Sequence, residues 1–235
     1  MVGRAEGKGT GAHRRRLTRD LVVRTAVEIA DAGGLEALSM RALADRLGVV
    51  PMAIYKHVAS KEELLDAMVD VVFSEVEVPG GVGWRRAMRE RAISMRQALL
   101  RHPWAVGRME SATPGPANLR HHNDVLRCLR EDAGFSFRMA VHAYSAMDSY
   151  IYGFALQEKT LPLESPEAAA EEAERRARET ARVMVAETLA REFPYLVEVV
   201  AELGSGRYDY AAEFEWGLDL ILDGIERRGK GDVGE

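Results

Sequence analysis

The stretch "FRMAVHAYSAMDSYIYGFALQ" at residues 137–157 limits the possible folds more than any other part of the chain. Ser136 stands before it as a helix cap, and its apolar residues fall on nearly every helical face. Such a helix cannot lie against water and has to be covered on several sides. The chain must therefore surround it with further helices, or cover part of it with a second copy of itself. Helices are what the remainder offers. Thr18 caps a helix carrying Leu21, Val22, Ala26 and Ile29, which Gly33-Gly34 ends. Ser39 caps a second, with Leu43 and Leu47 inward and Gly48 as its stop. A short third helix is predicted over residues 51–58, and Ser60 with Glu63 reads as a capping box that opens a fourth. After "VEVPGGVG", a joint between domains, residues 84–101 repeat Trp84, Met88, Met95 and Leu99 at helical spacing. Further helices are predicted over residues 115–132, from Ser165-Pro166 to near Phe193-Pro194, and over residues 208–228. No alternating strand pattern and no repeat period interrupts them, so the fold class is all-α.

The second informative stretch is "RALADRLGVVPMAIYKHVASKEELL", residues 41–65. Two short helices joined by a tight glycine turn, the second bearing exposed polar groups, form a helix-turn-helix. The second helix of such a motif offers its first residues to base edges in a major groove. Tyr55 and His57 can hydrogen-bond phosphates, and Lys56 and Lys61 add point charges. The backbone N–H groups behind Ser39 and Ser60 are two further anion sites at helix starts. The charge distribution agrees. Residues 1–60 hold ten Lys and Arg against six Asp and Glu, a net +4; the whole chain is −5, so the rest carries −9. A basic head on an acidic body is suited to meeting an anion.

At 235 residues the chain can bury a substantial core, and 47% hydrophobic with 29% charged residues is ordinary for a water-soluble globular protein. No run of about 18 apolar residues is present to span a membrane. The N-terminus "MVGRAEGKGTGAHRRR" has charge without an apolar segment behind it, so it is not a secretory signal. One cysteine, Cys128, cannot form an intrachain disulfide, and a reducing cytoplasm is the expected compartment.

The residues from "LTRDLVVRTAVEIADAGG" to "YKHVASKEELLDAM" resemble the DNA-binding domain of the TetR family of bacterial transcription regulators. "GWRRAMRERAISMRQALLRHP", "LREDAGFS" and "EFEWGLDLILDGIE" resemble the regulatory domain of its tetracycline-repressor branch. The resemblance implies an N-terminal three-helix helix-turn-helix domain and a larger helical bundle for ligand binding and dimerisation. The expected divisions are a disordered basic arm at 1–16, the head at 17–63 and the body at 64–235. The arm, "HRRRLTR" included, either reaches a minor groove or is simply solvated. Carried over by position, Arg41 matches the family's base-reading residue, and its fork suits guanine. Pro51, Met52 and Ala53 match the base-facing start of the recognition helix; being apolar, they would read thymine methyls or shape. Lys56 stands where the tetracycline repressor has tryptophan, so the target sequence should differ. Tyr55, His57 and Lys61 match phosphate contacts.

The family implies a homodimer on double-stranded operator DNA, released by a small-molecule effector. The dimer would join the 136–157 helix and the last helix to their two-fold mates, through Tyr144, Ile151, Phe214, Leu218, Ile221, Leu222 and Ile225. Trp84, Arg91, Met95, Trp104, Met109, His142, Met147 and Tyr150 lie on helices that would enclose the cavity. They are either plain core or the lining for a bulky, largely apolar effector. The tetracycline repressor's metal-binding histidine and glutamate are absent: the chain reads "VGRMES" and "FALQEK" there. His121 and His122 are adjacent, about 100° apart on a helix, and cannot share a metal. No metal and no cofactor is expected. No catalytic motif is present, so an enzyme would need an active site without a signature. An effector-independent DNA-coating protein is a further alternative, but needs no large acidic body.

Overall fold

The computed structural model describes residues 16–159, 175, 191–203 and 209–231, and no strand occurs among them. The expected arm, but for its last residue, and most of the expected charged helix beginning at Ser165 lie outside the described residues.

The head comprises α1 (Arg19–Ala37), α2 (Met40–Leu47) and α3 (Pro51–Ile54), closed by α4 (Lys61–Ser74). Thr18 Oγ1 accepts from the Leu21 N–H at 3.2 Å, and α1 buries Val22, Val23, Ala26, Val27 and Ala30. The expected stop at Gly33-Gly34 is a break rather than an end. Gly34 leaves helical geometry at φ 74°, and the chain then makes one more turn to Ala37, anchored by buried Leu38. α3 is shorter than the predicted 51–58. Past Ile54 the chain tightens, with the His57 N–H donating to the Ile54 carbonyl at 2.8 Å, because buried Val58 must turn inward before the Ser60 cap.

α4 belongs to both parts. Its early residues meet α1, and its later ones, Met68, Val72 and Phe73 among those buried, pack on α5 (Trp84–Arg101) and α6 (Pro116–Arg127). The expected division between residues 63 and 64 falls in its first turn. α6 runs into one wide π turn, Cys128–Asp132, in which the Ala133 N–H reaches the Cys128 carbonyl at 3.1 Å. α7 (Phe137–Lys159) follows, with Ser136 Oγ accepting from the Met139 N–H at 3.1 Å. α8 (Pro194–Leu203) and α9 (Tyr210–Gly229) complete the described helices. Asp209 caps α9, accepting from the Ala211 and Ala212 N–H groups.

α7 packs against α5, α6 and α9, burying Ala140, Ala143, Met147 and Ile151. α9 packs on α7 and α5 through Phe214, Leu218, Leu222 and Ile225. Among the described residues, large apolar side chains stay exposed on both helices: Phe137 at the start of α7 is 71% exposed, and Trp216 and Leu220, on the side of α9 away from that core, are 64% and 53%. Thus the all-round apolar helix of the sequence is half satisfied by its own chain.

Candidate nucleic-acid interface and ligand cavity

The turn between α2 and α3 is set by Gly48, at φ 66° and ψ 35°, a conformation glycine adopts without steric cost. The Gly48 and Val49 N–H groups close the end of α2 on the Asp45 and Ala44 carbonyls. Pro51 opens α3, where its missing N–H is no loss. Fully buried Ile54 fixes the inner face of α3, leaving Pro51, Met52, Tyr55 and Lys56 exposed and Ala53 and His57 half-buried. Arg41 is exposed in the first turn of α2, behind Ser39, whose Oγ accepts from the Ala42 N–H at 3.0 Å. Lys61 has two jobs. Its Nζ donates to the Leu38 carbonyl at 2.9 Å, fastening α4 to the end of α1. Two ammonium N–H groups remain for a phosphate. Glu63 departs from the simple capping box by reaching back to the Ala59 N–H at 2.6 Å, and that bond holds its carboxyl below the ordinary range. An exposed short helix with an apolar tip and cations around it is shaped to enter a major groove.

In the body, α6, α7, the segment before α6 and the end of α4 line a half-open cavity of about 650 Å³. Phe73, Met109, Pro114 and Leu119 give it apolar walls; His122, Tyr144, Asp148 and Tyr152 give it polar ones. Behind Asp148 lies a buried charge network. Arg91, fully buried, donates from Nη2 to Asp148 Oδ1 at 2.5 Å, and from Nε and Nη2 to His121 Nε2 at 3.2 and 3.1 Å. A guanidinium only donates, so His121 Nε2 accepts and its proton sits on Nδ1. Burial, and then the Arg91 charge, push the His121 imidazole down to about 3, so the ring is neutral near pH 7. Burial first, then the nearby Asp148 carboxylate, raise the Tyr144 and Tyr152 hydroxyls above their ordinary value. Among the described residues, Arg91 Nη1 and His121 Nδ1 are buried without a hydrogen-bond partner.

The walls of this cavity also hold the head. Asp70 of α4 accepts from the Asn118 N–H at 2.8 Å, in the first turn of α6. Gly115 lies so close to Asp70 that any Cβ there would strike the carboxylate. From the segment before α6, Trp104 Nε1 donates to Asp31 of α1 at 2.7 Å, and His102 bonds Asp31 at 2.8 Å and Glu75 at 3.2 Å. Burial pushes the Glu75 carboxyl up, but Arg101 and His102 outweigh it and hold it below the ordinary range. Arg108 pairs with Glu62 in the first turn of α4.

Comparison with known proteins decides what this architecture is. The family model described as "Bacterial regulatory proteins, tetR family" matches residues 22–68, and that described as "Tetracyclin repressor-like, C-terminal domain" matches residues 79–228. The chain belongs to the TetR family. The HTH-type transcriptional repressor DrrR1 of Streptomyces coeruleorubidus is 36% identical over 227 residues, covering 89% of this chain and 77% of that protein. Tetracycline repressor protein class C of Escherichia coli is 31% identical over 216 residues, covering 90% and 92%. The crystal structure of the Streptomyces coelicolor TetR family protein ActR in complex with actinorhodin superposes with a TM-score of 0.72 at 28% identity, covering 94% and 100%. This TetR-family chain is therefore a DNA-binding transcriptional regulator and not an enzyme.

On the TetR-family frame the nine head residues proposed to meet DNA fall within one continuous stretch, residues 39–61. The cavity residues do not gather. Of the eight, Met109 lines the cavity; Arg91 sits behind its wall. Trp84 packs edge-on against Phe135, Met95 and Met147 are core, and Tyr150 donates to the Phe214 carbonyl of α9 at 2.9 Å. Trp104 is turned to the head. His142 is exposed in a separate open groove between α7 and α9. The seven expected interface residues are likewise spread in the single chain. Ile151, Phe214, Leu218 and Leu222 are fully buried in the single chain, Ile225 nearly so, and Tyr144 lines the cavity. Ile221, half-buried in the open groove, is the one of the seven placed beside the uncovered face. Asp148 was missed, although it is the one carboxylate between Phe137 and Gln157, and a lone carboxylate amid apolar residues points to a buried partner.

Proposed function

We propose that this regulator is a homodimeric repressor acting in the cytoplasm, released from a two-fold symmetric operator when a small effector fills the cavity between α6 and α7. One observation carries the reading: two of the segments that wall the cavity, α6 and the stretch before it, also hold the head. α6 is capped by α4 through Asp70, and the 102–112 segment grips α1 and α4 through Trp104, His102 and Arg108. An effector that moves either wall changes the angle at which α4 delivers the head. In a dimer this changes the spacing of the two recognition helices, which must sit about one DNA turn apart, roughly 34–36 Å. Operator and effector then favour different populations of one protein, and each weakens the other by the same factor. That ActR is solved in complex with actinorhodin supports a small-molecule effector, and the relatives named as repressors support the sign of the response. The uncovered faces of α7 and α9, with Phe137, Leu220 and Trp216, supply the dimer surface. No described helix is long and apolar enough to cross a membrane, which agrees with a place beside the DNA.

The head is tested by fluorescence anisotropy on a two-fold symmetric duplex and its single-base variants. Arg41→Ala should cost about 1–3 kcal/mol and relax preference at one position in each half-site. Lys61→Ala should weaken all duplexes alike and reduce the salt slope by about one for each phosphate it no longer neutralises. Because Lys61 also ties α4 to Leu38, its variant should melt earlier as well. Equal losses of Arg41→Ala on every duplex would remove Arg41 as the base reader.

A further inference from the structure

We infer that Asp148 selects the effector by accepting a hydrogen bond from a hydroxyl on a flat aromatic ring, so that the cavity discriminates neutral aromatic donors from their ethers and from aromatic cations. This rests on the cavity being the effector site and adds the chemistry it reads.

Three observations converge. Asp148 is buried, lines the cavity and is incompletely used. Its Oδ1 is held by Arg91 at 2.5 Å, the Tyr144 hydroxyl also bonds the carboxylate, and the Tyr152 hydroxyl reaches Oδ2 at 3.5 Å. An ionised carboxylate offers about four acceptor sites, so room for a donor remains. The second observation is charge. The Arg91–Asp148 pair is locally neutral, so a cation entering beside Asp148 also meets the Arg91 guanidinium. An anion meets Asp148, and Glu110 on the cavity wall. A neutral hydroxyl avoids both penalties and still makes a charge-assisted hydrogen bond, roughly twice as strong as a neutral one. The third is the shape of the wall. Phe73, His122 and Tyr144 form a run of rings with centroids 5.6 and 5.3 Å apart and planes tilted by 46° and 61°, so the wall offers both ring faces and ring edges to an aromatic guest. His122 adds a second acceptor. Its Nδ1 donates to the Asn118 carbonyl at 2.8 Å, which leaves Nε2 for a ligand donor.

Calorimetric titration of the full chain with three matched probes tests this: 2,6-dihydroxynaphthalene, 2,6-dimethoxynaphthalene and 2-naphthylmethylammonium. The wild type should bind the diol at least about tenfold tighter than the ether, which keeps ring and oxygens but loses the donors, and tighter than the cation. Asp148→Asn should shrink the preference. Arg91→Met combined with Asp148→Leu should abolish it, and this pair leaves no unpaired buried charge that would confuse lost binding with lost folding. Binding of the diol no tighter than the ether or the cation, failure of the wild type to bind the diol, or an undiminished preference in the double variant would each overturn the assignment. These titrations contain no DNA. The operator-binding reading therefore stands or falls by its own test.

Discussion

Leu218→Glu is expected to unfold the body of the protein, and Leu220→Glu to leave it folded but monomeric. The two residues are two positions apart in sequence and, at 100° per residue, point about 200° apart on α9. Leu218 is fully buried in the core that α9 shares with α7 and α5, whereas Leu220 is 53% exposed on the uncovered side. A glutamate at 218 replaces a core side chain worth about 2–5 kcal/mol and puts a carboxyl where nothing is arranged to solvate it. The sum is comparable to the whole stability of an ordinary domain, about 5–15 kcal/mol. A glutamate at 220 costs the single chain little. In a dimer it faces its own two-fold mate or apolar surface, and the two chains separate. Circular dichroism melts separate the first effect and light scattering the second. A Leu220→Glu protein that stays fully dimeric would place the interface elsewhere, and a Leu218→Glu protein with wild-type melting would contradict its place in the core. Monomeric Leu220→Glu should also lose roughly 10²–10⁴ in operator affinity, because linkage turns the second head's binding into an intramolecular step.

The second large effect is acid sensitivity arising at His121. The folded ring resists protonation down to about 3, while in the unfolded chain it titrates near its ordinary 6.5. Below 6.5 the unfolded state therefore takes up a proton that the folded state refuses. Its stabilising contribution is complete above 6.5 and is lost as the pH falls toward the folded value. The slope for one proton is about 1.4 kcal/mol per pH unit, so the loss between pH 6.5 and 5 is about 2 kcal/mol. Carboxylates such as Glu75 add to the loss below about 4.5, which makes the higher window the clean one. His121→Gln keeps an acceptor for Arg91 and has nothing to titrate. Urea unfolding of both proteins from pH 7.5 to 5 should show the wild type losing stability faster by about that amount. Parallel curves would mean that His121 is not held neutral by its surroundings.

Local chemistry was the legible part of this chain. Thr18, Ser39, Ser60 and Ser136 all cap the helices expected of them, and Gly48 makes the turn that orients α3. Each such feature is decided within a few residues. The cavity is decided by partners far apart: Arg91 meets His121 and Asp148, and Trp104 finds Asp31 across 73 positions. Helical spacing says that Trp104 is buried, and cannot say that its indole points to the head. The interface is hard to read for a subtler reason. Phe214, Leu218, Leu222 and Ile225 form the clearest stripe on α9, and the clearest stripe went to the chain's own core. Trp216 and Leu220 form a second, shorter one beside Asp223 and Arg227, easily taken for scattered surface residues. Neither stripe carries a label for the chain that covers it.

The most direct measurement is selection of double-stranded DNA from a random pool by the purified full-length protein at moderate salt. A paired-head regulator should enrich a two-fold symmetric site, with half-site centres about one helical turn apart and a specific guanine that Arg41→Ala no longer demands. Enrichment of a single unrepeated half-site, or no enrichment over the starting pool, would contradict a dimer that reads an operator through α2 and α3.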